Sequence, residues 1–132
     1  MSFAKDMIRV QEELKKLGHE ASAPYDAKVH TDDEGLIDDL DTNYEYCVKN
    51  DVIRKSFEQL AAGDAVLVLN HPKNGIDGYI GTSTLMELGL SHYLRKKIFI
   101  MYDIPSHHDH RWVHEVRIMQ PTILNGNLTK VV

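Results

Sequence analysis

Glu87 is the one carboxylate in the stretch GYIGTSTLMELGLSHYLRKK, residues 78–97, and the residues before it are of types that can bring backbone close to a ligand. Gly75, Gly78 and Gly81 lead into Thr82, Ser83 and Thr84, and a helical apolar pattern follows. Two readings of Glu87 stand side by side. In the first, Thr84 and Glu87 form a capping box, with the carboxylate returning to the backbone N–H of the cap residue in the helix's first turn. In the second, the carboxylate sits at the rim of a cleft, attacks the anomeric carbon of a sugar and holds it as a covalent glycosyl-enzyme. The glycine spacing matches neither a Walker loop nor the dinucleotide fingerprint, so it specifies close backbone approach and nothing narrower.

Other reactive side chains are grouped elsewhere. The segment HHDHRWVHE holds His107, His108, His110 and His114, with His110 and His114 spaced to share a helix face. Zinc needs three or four ligands with outer-shell support, and this run without cysteine reads as solvated polar surface instead. The acidic run over residues 27–41 likewise reads as a solvated loop, and no metal or organic cofactor is expected. Cys47 stands alone without a neighbouring histidine and reads as inert. Trp112 and Met119 read as core or interface residues, and Asn125, in LNGN, as a turn residue.

The elements that must position these groups follow from periodicity. Phe3, Met7, Val10, Leu14 and Leu17 recur at helical spacing, with Gly18 as the C-terminal cap. HEASAPYD suits a brief strand near a sheet edge. Asp41 and Thr42 offer caps to a long helix carrying Tyr46, Ile53, Phe57 and Leu60 and ending near Gly63. AVLVLN, residues 65–70, and KIFIMYD, residues 97–103, are continuous apolar runs of the kind that form buried strands. A helix over residues 84–95 lies between them, and a helix over residues 110–119 and a short strand, TIL, follow. Strand alternating with helix implies a parallel sheet with right-handed crossovers, and hence an α/β fold of flavodoxin-like or doubly wound type with about four to five strands and flanking helices. In such sheets ligands bind beyond the carboxyl ends of the strands, which selects the loop over residues 70–81 and the segment over residues 103–109.

Composition bounds the function. A chain of 132 residues with a 42% hydrophobic share fits one domain, residues 1–132, with a single core. A formal net charge of -5 argues against binding a nucleic-acid polymer, which needs clustered cations. No apolar run approaches the roughly 20 residues that span a bilayer, the amino-terminal pattern is not that of a signal peptide, and one cysteine allows no internal disulfide. A cytoplasmic protein without a membrane partner is the expectation.

The succession DAVLVLN, a glycine-containing loop, T-x-x-E-L-G over residues 84–89 and KKIFIMYDIP resembles the nucleoside 2-deoxyribosyltransferase family and the related nucleoside 5′-monophosphate N-glycosidases. FAKDM, KKLGHE with ASAP, and MQPTILNG resemble short members of the same superfamily, so the resemblance covers nearly the whole chain. It implies that Glu87 is the nucleophile that displaces the base from C1′, with Thr84 and the Gly81 backbone orienting it. Asn70, which the strand-end rule places near the cleft, and Asn74, Asp77 and Tyr79 of the loop are the residues expected to contact the sugar or base of a small-molecule nucleoside or nucleotide, and the resemblance implies a homo-oligomer. Cleavage or exchange of an N-glycosidic bond is the implied reaction, and a non-catalytic nucleotide-binding or assembly module of the same fold is the alternative. The alternative draws on departures from the family pattern. Ser56 and Gly81 stand where the transferases carry Asp, Asp77 being the acid that precedes the motif here, and the family's first strand would lie upstream of Met1.

Overall fold

The computed structural model describes residues 4–23 and 39–132. The chain divides into two compact units, Met1–Gln59 and Leu60–Val132.

In the first unit, α1 (Ala4–Lys16) is the amphipathic helix its spacing predicts, with Val10 buried and Met7 and Leu14 half-buried. Gly18, at φ 93°, closes it: the amides of Gly18 and His19 donate to the carbonyls of Lys15 and Leu14. Only a residue without a Cβ takes that conformation readily. Phe3 lies outside the described residues. So does most of the acidic run, and so do residues 24–26 of the expected edge strand. The remainder of that segment, residues 19–23, is not a strand. Its carbonyls are taken by side chains, Gln11 Nε2 donating to Ala21 at 3.0 Å and Gln59 Nε2 to Ala23 at 2.7 Å. Glutamine amides thus satisfy groups that a ladder would otherwise satisfy.

The expected long helix is two helices, α2 (Leu40–Lys49) and α3 (Val52–Ala62). Its cap is Asp39 and not Asp41 or Thr42: the Asp39 carboxylate accepts from the Asp41 and Thr42 amides at 3.1 and 3.2 Å and from the Thr42 hydroxyl at 2.8 Å. The Thr42 hydroxyl, then the amide bonds, hold the Asp39 carboxyl below its usual pKa. The break comes at Asn50 and Asp51. Asn50 Nδ2 donates to the Tyr46 carbonyl at 2.9 Å, and Asp51 turns to φ 49°, a conformation that Asn and Asp enter more cheaply than other side chains do. The apolar stripe Tyr46–Ile53–Phe57–Leu60 keeps helical spacing across this break, which is why periodicity alone misses it.

The second unit is mixed α/β. After α3 come β1 (Ala65–Val68), α4 (Thr82–Tyr93), β2 (Lys97–Ile100), α5 (Arg111–Ile118) and β3 (Thr122–Ile123), closed by a 3-10 turn, Leu128–Lys130. Among the described residues the sheet has three strands in the order β1-β2-β3, all parallel, and not the four to five expected. The register pairs Ala65 with Lys97 and Val68 with Ile100, while Phe99 and Ile100 pair with Thr122 and Ile123. Helices α4 and α5 feed one core: Leu88 and Val116 pack with Val68, Ile98, Ile100 and Ile80, and Trp112 and Met119 pack against that cluster. On the alternate positions Leu69, Phe99 and Met101 are buried too. Burial at both parities explains why these strands read as continuous apolar runs instead of alternating ones.

Candidate functional site

Beyond β1 the chain makes a two-residue hairpin. Lys73 and Ile76 exchange backbone hydrogen bonds at 3.1 and 3.0 Å around Asn74 (φ 54°) and Gly75 (φ 73°). Positive φ at both central residues is the type I′ geometry that Asn-Gly favours. Asn74 is therefore the exposed tip of the hairpin. Asp77 is exposed in the next turn, and Gly78 follows at φ 75°. A Cβ on Gly78 would lie 2.1 Å from the Asp103 carbonyl oxygen, so glycine here is required by contact as well as by conformation. At this point the loops that leave β1 and β2 touch.

Asn70 ties the same two loops together. It is fully buried, its Oδ1 accepts from the Tyr102 amide at 2.8 Å, and its Nδ2 donates to the Tyr102 carbonyl at 2.7 Å and, longer, to the Gly78 carbonyl at 3.5 Å. The side chain thus imitates a further ladder step past the end of the strands. Its polar atoms are engaged by backbone and face inward. His71, one residue on, stacks at a tilt on Tyr102 with ring centroids 5.4 Å apart, its Nε2 shielded from solvent. Sequence reasoning passed over His71 and Tyr102, although each directly follows a buried strand run.

Helix α4 starts from Gly81, whose backbone is extended at φ -78° and ψ 168°. No side chain caps it. Thr84 is the third helical residue and not the cap, and Glu87 is the sixth, so the capping box does not form. At 1.5 Å per residue Glu87 lies about 9 Å along the axis from Gly81, beyond the first turn in which the helix dipole acts. Glu87 is half-buried, as is Thr84 one turn earlier, and the Ser91 hydroxyl, fully buried one turn later, donates to the Glu87 carbonyl at 2.8 Å. Tyr79 is half-buried, with Lys73 Nζ 5.9 Å from its ring centroid and its Cε1 3.8 Å from where a Gly81 Cβ would be. One loop-helix junction therefore carries Tyr79, Gly81, Thr84 and Glu87. Asn74 and Asp77 stand on exposed turns of the same loop, and Asn70 sits beneath it. Ser56 belongs to the first unit.

The segment after β2 holds a second constellation. Asp103, His107, Arg117 and Gln120 line a cavity of about 480 Å³. Arg117 Nη1 lies 2.8 Å from His107 Nδ1, and His107 stacks on His108 with centroids 4.1 Å apart. Arginine can only donate, so this contact needs an unprotonated Nδ1. Partial burial first, then the Arg117 charge, lower the His107 pKa from its ordinary value of 6.5. His110 is the N-cap of α5, outside the helix that carries His114, so the two do not share the helical face their spacing suggested. Among the described residues no group of three or more His, Cys, Asp or Glu side chains is placed to hold a metal ion. A larger cavity, about 710 Å³, opens at the opposite end of the sheet, around Lys97 and Thr122. Glu87 lines neither cavity.

No family model matches the chain, and no curated protein or solved structure matches it significantly.

Proposed function

We propose that the chain cleaves or exchanges the N-glycosidic bond of a small nucleoside or nucleotide, with Glu87 as nucleophile. The observation that carries this reading is the start of α4. Gly81 is the cap, which places Glu87 in the second turn of the helix and not at the capping-box position that its spacing from Thr84 suggested. It stands half-buried on the helix that follows the carboxyl end of a parallel strand, where α/β sheets place ligands. The reading takes the parallel unit as part of a flavodoxin-like sheet, in keeping with the resemblance of T-x-x-E-L-G and its flanking strands to the nucleoside 2-deoxyribosyltransferases.

In the proposed reaction the Glu87 carboxylate attacks C1′, the C1′–N bond breaks, and the base leaves with the bonding pair and takes up a proton. Water, or a second base, then attacks C1′ and frees the carboxylate. Thr84 and Gly81 orient Glu87, while Tyr79, Asp77 and Asn74 meet the sugar or base and Asp77 is the acid nearest in sequence for the leaving base. Asn70 contributes by holding the floor of the loop. A homo-oligomer and a cytoplasmic setting belong to the same reading, and no metal or organic cofactor does.

A second reading, a nucleotide-binding module without catalysis, is favoured by one observation. Asn70, the strand-end polar residue, spends its amide on the Tyr102 backbone. Chromatography of free base and thermal melting, run on one panel of ribo- and deoxyribonucleosides and their 5′-monophosphates, separates the two. A catalyst releases base with time from at least one member. A binder raises the melting temperature and releases none.

A further inference from the structure

The larger cavity lies where no part of the proposed reaction reaches, at the amino ends of β2 and β3 and the carboxyl ends of α4 and α5. Its volume, about 710 Å³, is that of a small-molecule site. The charged side chains that line it are Arg95, Lys96 and Lys97, joined by His92, and no Asp or Glu is among the lining residues. This concentration of cations stands out in a chain of net charge -5. Two of the cations are oriented by backbone oxygens: Lys96 Nζ donates to the Ala61 carbonyl and Lys97 Nζ to the carboxylate of Val132, each at 3.0 Å. An ammonium held by one oxygen keeps two donors for another partner.

Basic residues near helix carboxyl ends also have a simpler use, the neutralisation of the helix dipole. The magnitudes decide between the two. Each carboxyl end supplies roughly half a negative charge, so α4 and α5 together offset about one of the cations, the carboxylate of Val132 offsets a second, and the cavity stays positive by about one. Arg95 (φ 59°) and Gln120 (φ 54°), which line the cavity, take the left-handed conformation that ends α4 and α5. Tyr93, Phe99 and Met119 supply apolar lining beside the cations.

We propose that this cavity binds a phosphorylated small molecule, its anionic group held by Arg95, Lys96 and Lys97 and its apolar body laid against Tyr93 and Met119. The site is separate from Glu87, and it is too small and carries too few cations for a nucleic-acid polymer, which is neutralised along an extended basic face. The test is an NMR titration of the full chain at low ionic strength with inorganic pyrophosphate and, in a parallel arm, phenyl phosphate. Saturable shifts at the amides of Arg95, Lys96, Lys97, Gln120 and Thr122 are expected, with phenyl phosphate also moving Tyr93. Arg95→Asn keeps a residue that tolerates the left-handed backbone, and paired with Lys97→Gln it is expected to weaken both probes by at least about tenfold. The single Arg95→Asn carries the same test if the double variant does not fold. Absence of saturable shifts with both probes, unchanged affinity in the folded variant, or shifts confined to the amino end of α4 would overturn the proposal. So would tighter binding of a single-stranded oligonucleotide than of either probe.

Discussion

At the scale of single residues, two side chains do work that their types alone do not reveal. Asn70 completes the ladder between the β1 and β2 loops, so Asn70→Ala leaves both backbone groups of Tyr102 without this partner. A buried group left unsatisfied costs about 1–3 kcal/mol, and a loss of that size in urea unfolding is the expected outcome. Asn70→Asp is expected to be worse, because it turns a carboxylate towards the carbonyls of Tyr102 and Gly78. His107 accepts from Arg117, which favours its neutral form. A depressed folded pKa means that the unfolded chain takes up the proton first as pH falls. The stability this histidine contributes is therefore full above its ordinary pKa of 6.5 and is lost as pH falls through the lower folded value. NMR titration of the imidazole should give a midpoint below 6.5, moving upwards in Arg117→Gln.

The elements show where sequence patterning suffices and where it does not. The strands AVLV and KIFI and helix α4 were legible because continuous apolar runs and helical spacing report burial directly. The Asn125 turn was legible too: Asn125 (φ 51°) and Gly126 (φ 80°) repeat the geometry of the Asn74–Gly75 tip. Missed were the break at Asn50–Asp51 and the cap at Asp39. A stripe of apolar residues is indifferent to one residue of left-handed backbone, and Asp39, Asp41 and Thr42 are all good cap types, so side-chain chemistry alone cannot rank them. Thr84 and Glu87 failed as a capping box for a related reason. Gly81 supplies an extended backbone three residues earlier, and the helix starts there. The loop itself offers a paired test. Gly75 and Gly78 share a positive φ, yet a Cβ meets nothing at Gly75 and the Asp103 carbonyl at Gly78. Gly75→Ala is expected to cost about 1 kcal/mol from backbone conformation alone. Gly78→Ala is expected to cost more than about 3 kcal/mol, since rigid backbone must also move. Thermal melting of the two variants side by side measures the difference.

On the scale of the whole molecule, the second unit presents two opposed ends. At the carboxyl ends of β1 and β2, the touching loops and the start of α4 assemble Tyr79, Gly81, Thr84 and Glu87. At the amino ends of β2 and β3, three cations gather around a cavity. The first end was legible in part, since the rule for parallel sheets selects it from strand order alone. The second was hidden, because Arg95 and Lys97 read in sequence as the end of a helix and the start of a strand, and only the return of the chain at Met119–Thr122 makes them the wall of a cavity. Among the described residues no helix is long and apolar enough to cross a membrane.

The most direct test of the central claim is the time course of base release by the wild-type chain and by Glu87→Gln, on whichever nucleoside or nucleotide the panel selects. Glutamine keeps the shape and removes the nucleophile. The proposed function predicts that release falls by at least about a thousandfold while the melting temperature stays unchanged. Release that persists at the wild-type rate in a folded Glu87→Gln variant would contradict it.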